Sequence, residues 1–174
     1  MMKKAFLTLC ILSYSLIYSF GQVRESLQIA WPGEYNWKVG SQQNTKAVSM
    51  IELIPGKESL NNWSVMATMF SYKNMRMPIS KVPALMMASM QKNATSSKLT
   101  IEEQGVKNGA PWILFKIESP SFKNDPRPES QLYYAIQSKA TLYVNFVAMK
   151  AKIFPSVYSF KFTRVFKASQ IITK

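Results

Sequence analysis

The sequence predicts an α+β fold, in which a central antiparallel sheet is flanked by helices. Three observations support this class. Apolar and polar residues alternate along much of the chain, with the two-residue period of β-strands. Short turn signals separate the alternating segments, which favours hairpins and therefore antiparallel pairing. Two further segments, one in the middle of the chain and one near its end, carry apolar residues at helical spacing.

The first half of the chain predicts three strands. They cover Leu27–Trp31, Ala47–Ile54 and Trp63–Tyr72, and the turn residues Pro32-Gly33 and Pro55-Gly56 end the first two. The third strand carries large apolar residues on both of its faces. We therefore expect it to be covered on both sides.

A helix is predicted over Ser80–Lys92, after Pro78 ends the preceding strand. Ser80 suits the N-cap position, and Pro83 is tolerated in the first turn because an N–H there has no helical partner to lose. Helical spacing places one set of side chains on a shared face: Val82, Leu85, Met86, Ser89 and Met90.

The second half predicts four more strands. The first begins at Leu99–Ile101, and the others cover Trp112–Ile117, Gln131–Gln137 and Thr141–Met149. Lys107-Asn108-Gly109 predicts a hairpin turn between the first two, and Ser138-Lys139 a tight turn between the last two. The three prolines of Ser119–Ser130 predict a surface loop.

An amphipathic helix is predicted over Pro155–Ile171, with its proline in the first turn. One stripe of this helix is suited to packing on the sheet: Tyr158, Phe162, Val165, Phe166 and Ser169. Lys161, Arg164 and Lys167 point away from that stripe. The helix therefore presents a basic outer face, which is a candidate binding surface.

The charge balance extends this basic character to the whole chain. There are 22 basic residues against nine acidic ones, a formal net charge of +13, and no acidic residue follows Glu129. Such a surface suits an anionic partner: lipid headgroups, polysaccharide or an acidic protein. A solvated lysine-rich surface is the alternative, because lysines far outnumber the arginines that specific phosphate sites prefer. No nucleic-acid-binding motif is present, so we expect no nucleic-acid partner.

The N-terminus predicts export. Lys3 and Lys4 precede an apolar run that ends at Phe20, and Ser19 and Gly21 place small residues at the −3 and −1 positions of a cleavage site. The run is shorter than a membrane-spanning helix requires. We therefore expect residues 1–21 to be a signal peptide, cleaved before Gln22. Residues 22–174 would then form a single globular domain, periplasmic or secreted, without a transmembrane span.

Two missing residue types narrow the chemistry. The chain contains no histidine, and its one cysteine, Cys10, lies within the predicted signal peptide. Ser-His-Asp and Cys-His catalysis and ordinary zinc sites are therefore excluded. We expect no cofactor and no enzymatic activity; a hydrolase that relies on serine, lysine and glutamate alone is the remaining catalytic alternative.

A methionine cluster is a candidate site for a soft metal. Met86, Met87 and Met90 lie on one side of the predicted middle helix. Thioether sulfur suits Cu(I), which an exported protein would encounter. The alternative is core packing, since methionine fills irregular gaps easily.

Three tyrosines are candidates for a ligand surface. Tyr133, Tyr134 and Tyr143 lie on neighbouring predicted strands, where they could line a concave face of the sheet for a small ligand. Cross-strand packing is the alternative.

The segment between the second and third predicted strands carries a family resemblance. A strand ends in Pro55-Gly56-Lys57-Glu58, and Asn62-Trp63 opens the next strand. This pattern resembles small secreted bacterial proteins of the PsbP-like family, which includes the periplasmic DcrB-type proteins. The resemblance would cover most of residues 25–172 and implies an α/β/α sandwich with a non-catalytic accessory or binding function. We expect Pro55, Gly56, Glu58, Asn62 and Trp63 to be structural, with Glu58 fixing the turn through hydrogen bonds to backbone amides.

Together these features predict an exported, non-catalytic binding or accessory protein of the bacterial envelope. Its contact surface would be the sheet face or the basic closing helix, and its partner an unknown protein or an anionic envelope component. A carrier of a small ligand or of Cu(I) is the alternative from another class. A secreted, host-directed effector is a third possibility.

Overall fold

The computed structural model describes residues 25–173. The predicted signal peptide and its cleavage site lie outside the described residues. The described part forms strands β1 Glu25–Gln28, β2 Lys38–Asn44, β3 Val48–Ile54, β4 Val65–Lys73, β5 Lys98–Lys107, β6 Ala110–Ser119, β7 Glu129–Gln137, β8 Thr141–Met149 and β9 Gln170–Thr173. Its helices are α1 Val82–Gln91 and α2 Ser156–Ala168, and short 3₁₀ turns cover Gly33–Tyr35 and Ile79–Lys81.

Seven of these strands form one antiparallel sheet in the order β2-β3-β4-β8-β7-β6-β5. It consists of two meanders, β2-β3-β4 and β5-β6-β7-β8, joined where β4 pairs with β8 along the register Phe70↔Val144. The remaining strands, β1 and β9, pair with each other from Glu25↔Thr173 to Gln28↔Gln170. The two ends of the described chain therefore lie side by side.

The predicted α+β class, with its PsbP-like α/β/α sandwich, is wrong. Strands make up 49% of the described residues and helices 19%, so the fold is mainly β. The sequence underestimated strand length: the strand predicted over Trp112–Ile117 extends from Ala110 to Ser119. The edge strand Lys38–Asn44 was missed because its mostly polar, exposed side chains give little alternation. Each face of the sheet is covered by one short helix, whereas an α/β/α sandwich has a layer of helices on each face.

α2 packs on one face of the sheet through its aromatic side chains. Phe162 and Phe166 are fully buried, and the Phe166 ring stacks on Tyr134 of β7 at a centroid distance of 5.5 Å. The segment that follows β1 packs against the same two rings of the helix. The Trp31 ring lies 5.9 Å from Phe166, and the Tyr35 ring lies 6.0 Å from Phe162. α2 is thus enclosed along its inner side, and its orientation is fixed.

α1 covers part of the opposite face. It begins at Val82 rather than at an N-cap Ser80, because Ser80 lies in the 3₁₀ turn before it and makes no capping hydrogen bond. Val82 and Pro83 are buried against sheet residues of β6 to β8, including Phe115 and Val144. No helix among residues 25–173 is long and apolar enough to cross a membrane.

Candidate functional site

The outer side of α2 carries an unusual row of exposed apolar side chains. The side chains of Ile153, Val157 and Phe160 are 72%, 68% and 68% exposed. They are three of the four most exposed large apolar side chains in the described residues. Val157 and Phe160 are three residues apart and lie on one face of α2, and Ile153 lies in the segment that enters the helix. We call Ile153, Val157 and Phe160 the α2 ridge.

The ridge faces solvent because neighbouring residues of the same segment are anchored in the core. Phe154 is buried, and its backbone N–H donates a 2.9 Å hydrogen bond to Glu118 Oε1 of β6. Helical geometry turns Val157 and Phe160 to solvent because Phe162 and Phe166 occupy the core on the opposite side. The exposure of the ridge is therefore a consequence of how α2 is anchored.

Basic side chains flank the ridge. Lys152 is exposed directly before Ile153, and the guanidinium carbon of Arg164 lies 5.7 Å from the centre of the Phe160 ring. Within residues 25–173, neither Lys152 nor Arg164 forms an ion pair. Both charges are therefore directed to solvent beside an apolar surface.

A shallow groove of about 1190 Å³ runs along this side of α2 towards β6. Ile153, Phe160 and Arg164 line it from the helix side, and Lys116 lines it from the strand. Lys116 Nζ lies 3.2 Å from Glu102 Oε2, so that lysine is already paired. The groove extends the ridge into a surface with apolar and basic character.

The three predicted basic residues of α2 have different roles. Lys161 Nζ lies 2.8 Å from Glu34 Oε1, and Lys167 Nζ lies 2.6 Å from Glu103 Oε1. The hydrogen bond between the first pair raises the pKa of Lys161 and lowers the pKa of Glu34. Of the three, Arg164 alone has no carboxylate partner among the described residues.

The three candidate tyrosines are buried, and they lie on two different faces of the sheet. Tyr133 lies on the α1 face of the sheet, whereas Tyr134 and Tyr143 lie on the α2 face. Burial raises the pKa of Tyr134 to about 12 and also raises the pKa of Tyr133. Adjacent strand residues point to opposite faces, so the separation of Tyr133 from Tyr134 follows from the period of a strand.

Tyr133 belongs to a chain of polar contacts on the α1 face. Its hydroxyl donates to Gln131 Oε1, and Gln131 Nε2 donates to Glu129 Oε1 at 2.6 Å. Glu129 Oε2 in turn lies 2.8 Å from Lys150 Nζ, which sits 4.0 Å from the centre of the Trp63 ring. These contacts satisfy the buried groups, which gives the chain a structural role.

The candidate copper residues pack against the core. Met86, Met87 and Met90 are half-buried on the α1 face, in contact with the cluster around Phe115. Among residues 25–173, no group of three or more histidine, cysteine, aspartate or glutamate side chains is placed to hold a metal ion. Binding of Cu(I) by the three thioethers stays a prediction, which copper titration of a triple leucine variant would test.

The Pro-Gly motif forms the connection between β3 and β4. After Pro55, the Gly56 N–H donates to the Tyr35 carbonyl at 3.2 Å, and a Cβ on Gly56 would lie 2.8 Å from the Asn36 carbonyl oxygen. The Glu58 carboxylate accepts hydrogen bonds from the Ser64 N–H at 2.7 Å and the Ser64 hydroxyl at 2.6 Å.

The second half of this motif closes the same connection. The backbones of Ser59 and Asn62 exchange two hydrogen bonds, and Trp63 packs beside Ile54 and Met66. The motif therefore positions the entry to β4.

A deeper pocket of about 1210 Å³ opens at one end of the sheet, and we call it the end pocket. It lies between the β5–β6 turn, the β7–β8 turn and β9, and its lining includes Arg76, Lys107, Lys139 and Ile136. Lys107 Nζ donates to the carbonyls of Lys167 at 2.7 Å and Ser169 at 2.6 Å, and Arg76 Nε donates to the Lys139 carbonyl. Two of the cationic side chains that line the end pocket, Lys107 and Arg76, therefore donate hydrogen bonds to backbone carbonyl oxygens.

No protein-family model and no curated protein matches this chain. Function is therefore inferred from the surfaces of the molecule rather than from its fold. The α2 ridge was not predicted from the sequence, because Val157 and Phe160 are apolar and resemble additional core residues of the helix. The spacing of three residues from Val157 to Phe160 and of four from Phe160 to Arg164 was the signal that a second, outward face existed.

Proposed function

We propose that this chain is an exported, non-catalytic binding protein of the bacterial envelope and that the outer face of α2 is its contact surface. The α2 ridge is the observation that carries the proposal. Three adjacent apolar side chains, each exposed by about 70%, give up favourable burial in the free protein. Contiguous exposed apolar surface of this kind is typical of interaction sites.

Export and the absence of catalysis are supported by composition. The basic, then apolar, then small-residue pattern of residues 1–21 is that of a secretory signal. A chain without histidine, and with Cys10 as its one cysteine, lacks the usual general bases and thiol nucleophiles. A binding or accessory role fits this composition best.

Of the two surfaces that the sequence suggested, α2 is the better candidate. The predicted sheet-face tyrosines are buried beneath the helices and the segments around them. The outer face of α2 instead combines accessible apolar groups with the unpaired charges of Lys152 and Arg164. The contact is therefore assigned to the helix.

Site-specific photo-crosslinking in intact cells tests this assignment. A photoreactive amino acid replaces Val157 in one variant and Leu85 in a control variant. Leu85 is also exposed but lies on α1, against the opposite face of the sheet. We expect a crosslinked product from position 157 and none from position 85. Equal yields at both positions, or no product from either, would refute the proposal.

A small-ligand carrier is a second candidate, favoured by the end pocket. The volume of about 1210 Å³ and a lining that combines apolar groups, three cationic side chains (Arg76, Lys107 and Lys139) and Glu25 suit a small anionic or amphiphilic ligand. A thermal-shift screen of such ligands tests it, with Ala140→Trp as the variant that fills the pocket wall. A ligand that stabilises both proteins equally would not be bound in this pocket.

A further inference from the structure

We propose that the partner of the α2 ridge is the surface of an anionic lipid bilayer. The proposal rests on the proposed function, whose contact surface it assigns to one class of partner. Ile153, Val157 and Phe160 would enter the boundary between headgroups and acyl chains. Lys152 and Arg164 would remain at the level of the lipid phosphates.

The shape of the ridge favours a fluid partner. Each of its side chains is about 70% exposed, so each protrudes from the contiguous apolar line instead of filling a depression. A protein partner would have to provide a separate cavity for every protruding group. Acyl chains adapt to such groups without a preformed cavity, and a helix lying in the plane of the membrane presents this kind of apolar line.

The charges around the ridge favour an anionic surface. Lys152 and Arg164 flank it without carboxylate partners in the described residues. The acids that border this side of the molecule are already neutralised: Glu34 by Lys161, Glu102 by Lys116 and Glu103 by Lys167.

One carboxylate near the ridge opposes this charge. Glu118 accepts the backbone N–H of Phe154 and has no ion-pair partner within residues 25–173, so it stays negative. The first turn of α2 contains no acidic residue, so no side chain of that turn offsets the positive end of the helix dipole. With Lys152 and Arg164 against Glu118, the net charge beside the ridge is positive and attracts phosphate groups.

Arg164 links the apolar and charged parts. Its guanidinium lies over the Phe160 ring at 5.7 Å, a cation–π distance. When Phe160 enters the acyl boundary, the long side chain of Arg164 can extend to the headgroups while its stem stays against the ring. The pair thus matches the polarity gradient of a membrane interface.

A fluorescence experiment tests insertion directly. Cys10 is the one cysteine of the chain and lies in the proposed signal peptide, so the mature chain of residues 22–174 is a cysteine-free background for single labels. Val157→Cys carries an environment-sensitive nitrobenzoxadiazole dye, and Leu85→Cys carries the same dye on the opposite face. With vesicles of phosphatidylglycerol and phosphatidylcholine, we expect a blue shift and higher intensity at position 157 only. Pure phosphatidylcholine vesicles should give a much weaker signal.

Vesicle cosedimentation of the mature chain, residues 22–174, supplies the matched variants. We expect Phe160→Ser to weaken binding at least about tenfold, because a large apolar group no longer leaves water. Arg164→Glu should weaken binding to anionic vesicles, with a smaller effect at high salt. Leu85→Ser and Lys81→Glu, on the opposite face, are the controls and should bind like the unmodified protein. The apolar run that ends at Phe20 is absent from this protein, so it cannot bind the vesicles in place of the ridge.

The outcomes separate the two proposals. If anionic vesicles are not bound, or if ridge and control variants lose binding equally, the lipid proposal is wrong. If position 157 then still crosslinks to a protein in cells, the binding function stands with a protein partner. Unchanged thermal unfolding of Phe160→Ser, expected for so exposed a side chain, excludes misfolding as the cause of lost binding.

Discussion

Lys161 Nζ of α2 lies 2.8 Å from Glu34 Oε1, in the 3₁₀ turn Gly33–Tyr35, across a sequence separation of 127 residues. The same ammonium group sits 5.2 Å from the centre of the Tyr35 ring. A residue that the sequence assigns to partner binding is therefore a contact within the fold. Tests of binding that reverse its charge would also disturb the packing of α2.

We expect Lys161→Glu to lower the thermal unfolding midpoint more than Arg164→Glu. The first variant places a second carboxylate beside Glu34, whereas Arg164 has no carboxylate partner within residues 25–173. Circular dichroism melts of both proteins measure the difference. The exchange Lys161→Glu with Glu34→Lys should restore part of the loss; equal melting of the two single variants would contradict the ion pair's role.

Gly56→Ala should destabilise the protein by about 1–3 kcal/mol, in the range of other overpacking substitutions. The added Cβ would lie 2.8 Å from the backbone oxygen of Asn36, which cannot move as a flexible side chain can. Gly33→Ala is the matched control, because no atom lies within 4 Å of its added Cβ. Urea unfolding measures both; a neutral Gly56→Ala would mean that the β3–β4 connection yields easily.

Thr68→Val should leave stability unchanged or raise it by about 1 kcal/mol. The Thr68 hydroxyl is buried in β4 and has no hydrogen-bond partner within the described part of the chain, so burying it is unfavourable. Tyr133→Phe is the contrasting variant, because it removes the donor to buried Gln131 Oε1 and should destabilise by about 1–3 kcal/mol. Urea unfolding should therefore show a loss of stability in Tyr133→Phe but not in Thr68→Val, and a loss in Thr68→Val would show that its hydroxyl is satisfied.

The carboxyl of Asp125 should titrate at unusually low pH. Hydrogen bonds from the Arg127 side chain and backbone lower the pKa of Asp125 from 3.8 to about 2. Because the folded-state pKa is the lower one, this pair stabilises the fold above pH 4, and its contribution disappears as the pH falls towards 2. Carboxyl NMR titration measures the value, and Arg127→Gln should return it towards 3.8. A titration midpoint near 4 in the unmodified protein would rule out the pair.

Local pattern predicted the elements well, and long-range pairing explains what it missed. The strand predicted over Thr141–Met149 has those bounds, because apolar residues recur at every second position from Leu142 to Ala148. The helix predicted to end at Ile171 stops at Ala168, and Gln170–Thr173 pairs instead with a strand at the other end of the chain. No local signal reports a partner so distant.

The candidate site divides in the same way. The outward direction of Arg164 followed from helical spacing, but the ion pairs of Lys161 and Lys167 depend on acids brought close by the fold. Predicting the exposed apolar ridge would have required knowing which side of α2 packs on the sheet. A helix with two apolar sides offers two equally good inner faces until its packing is known.

The pairing of β1 with β9 has a consequence for how the chain folds. If the chain is exported as proposed and emerges N-terminus first, Glu25–Gln28 leaves the translocation channel well before its partner Gln170–Thr173. Trp31 and Tyr35 likewise emerge before α2, which they contact in the folded protein. Contacts of such high sequence separation form slowly. The aromatic side chains that pack on α2 would then stay exposed until the helix emerges, which is the stage at which a folding helper would act.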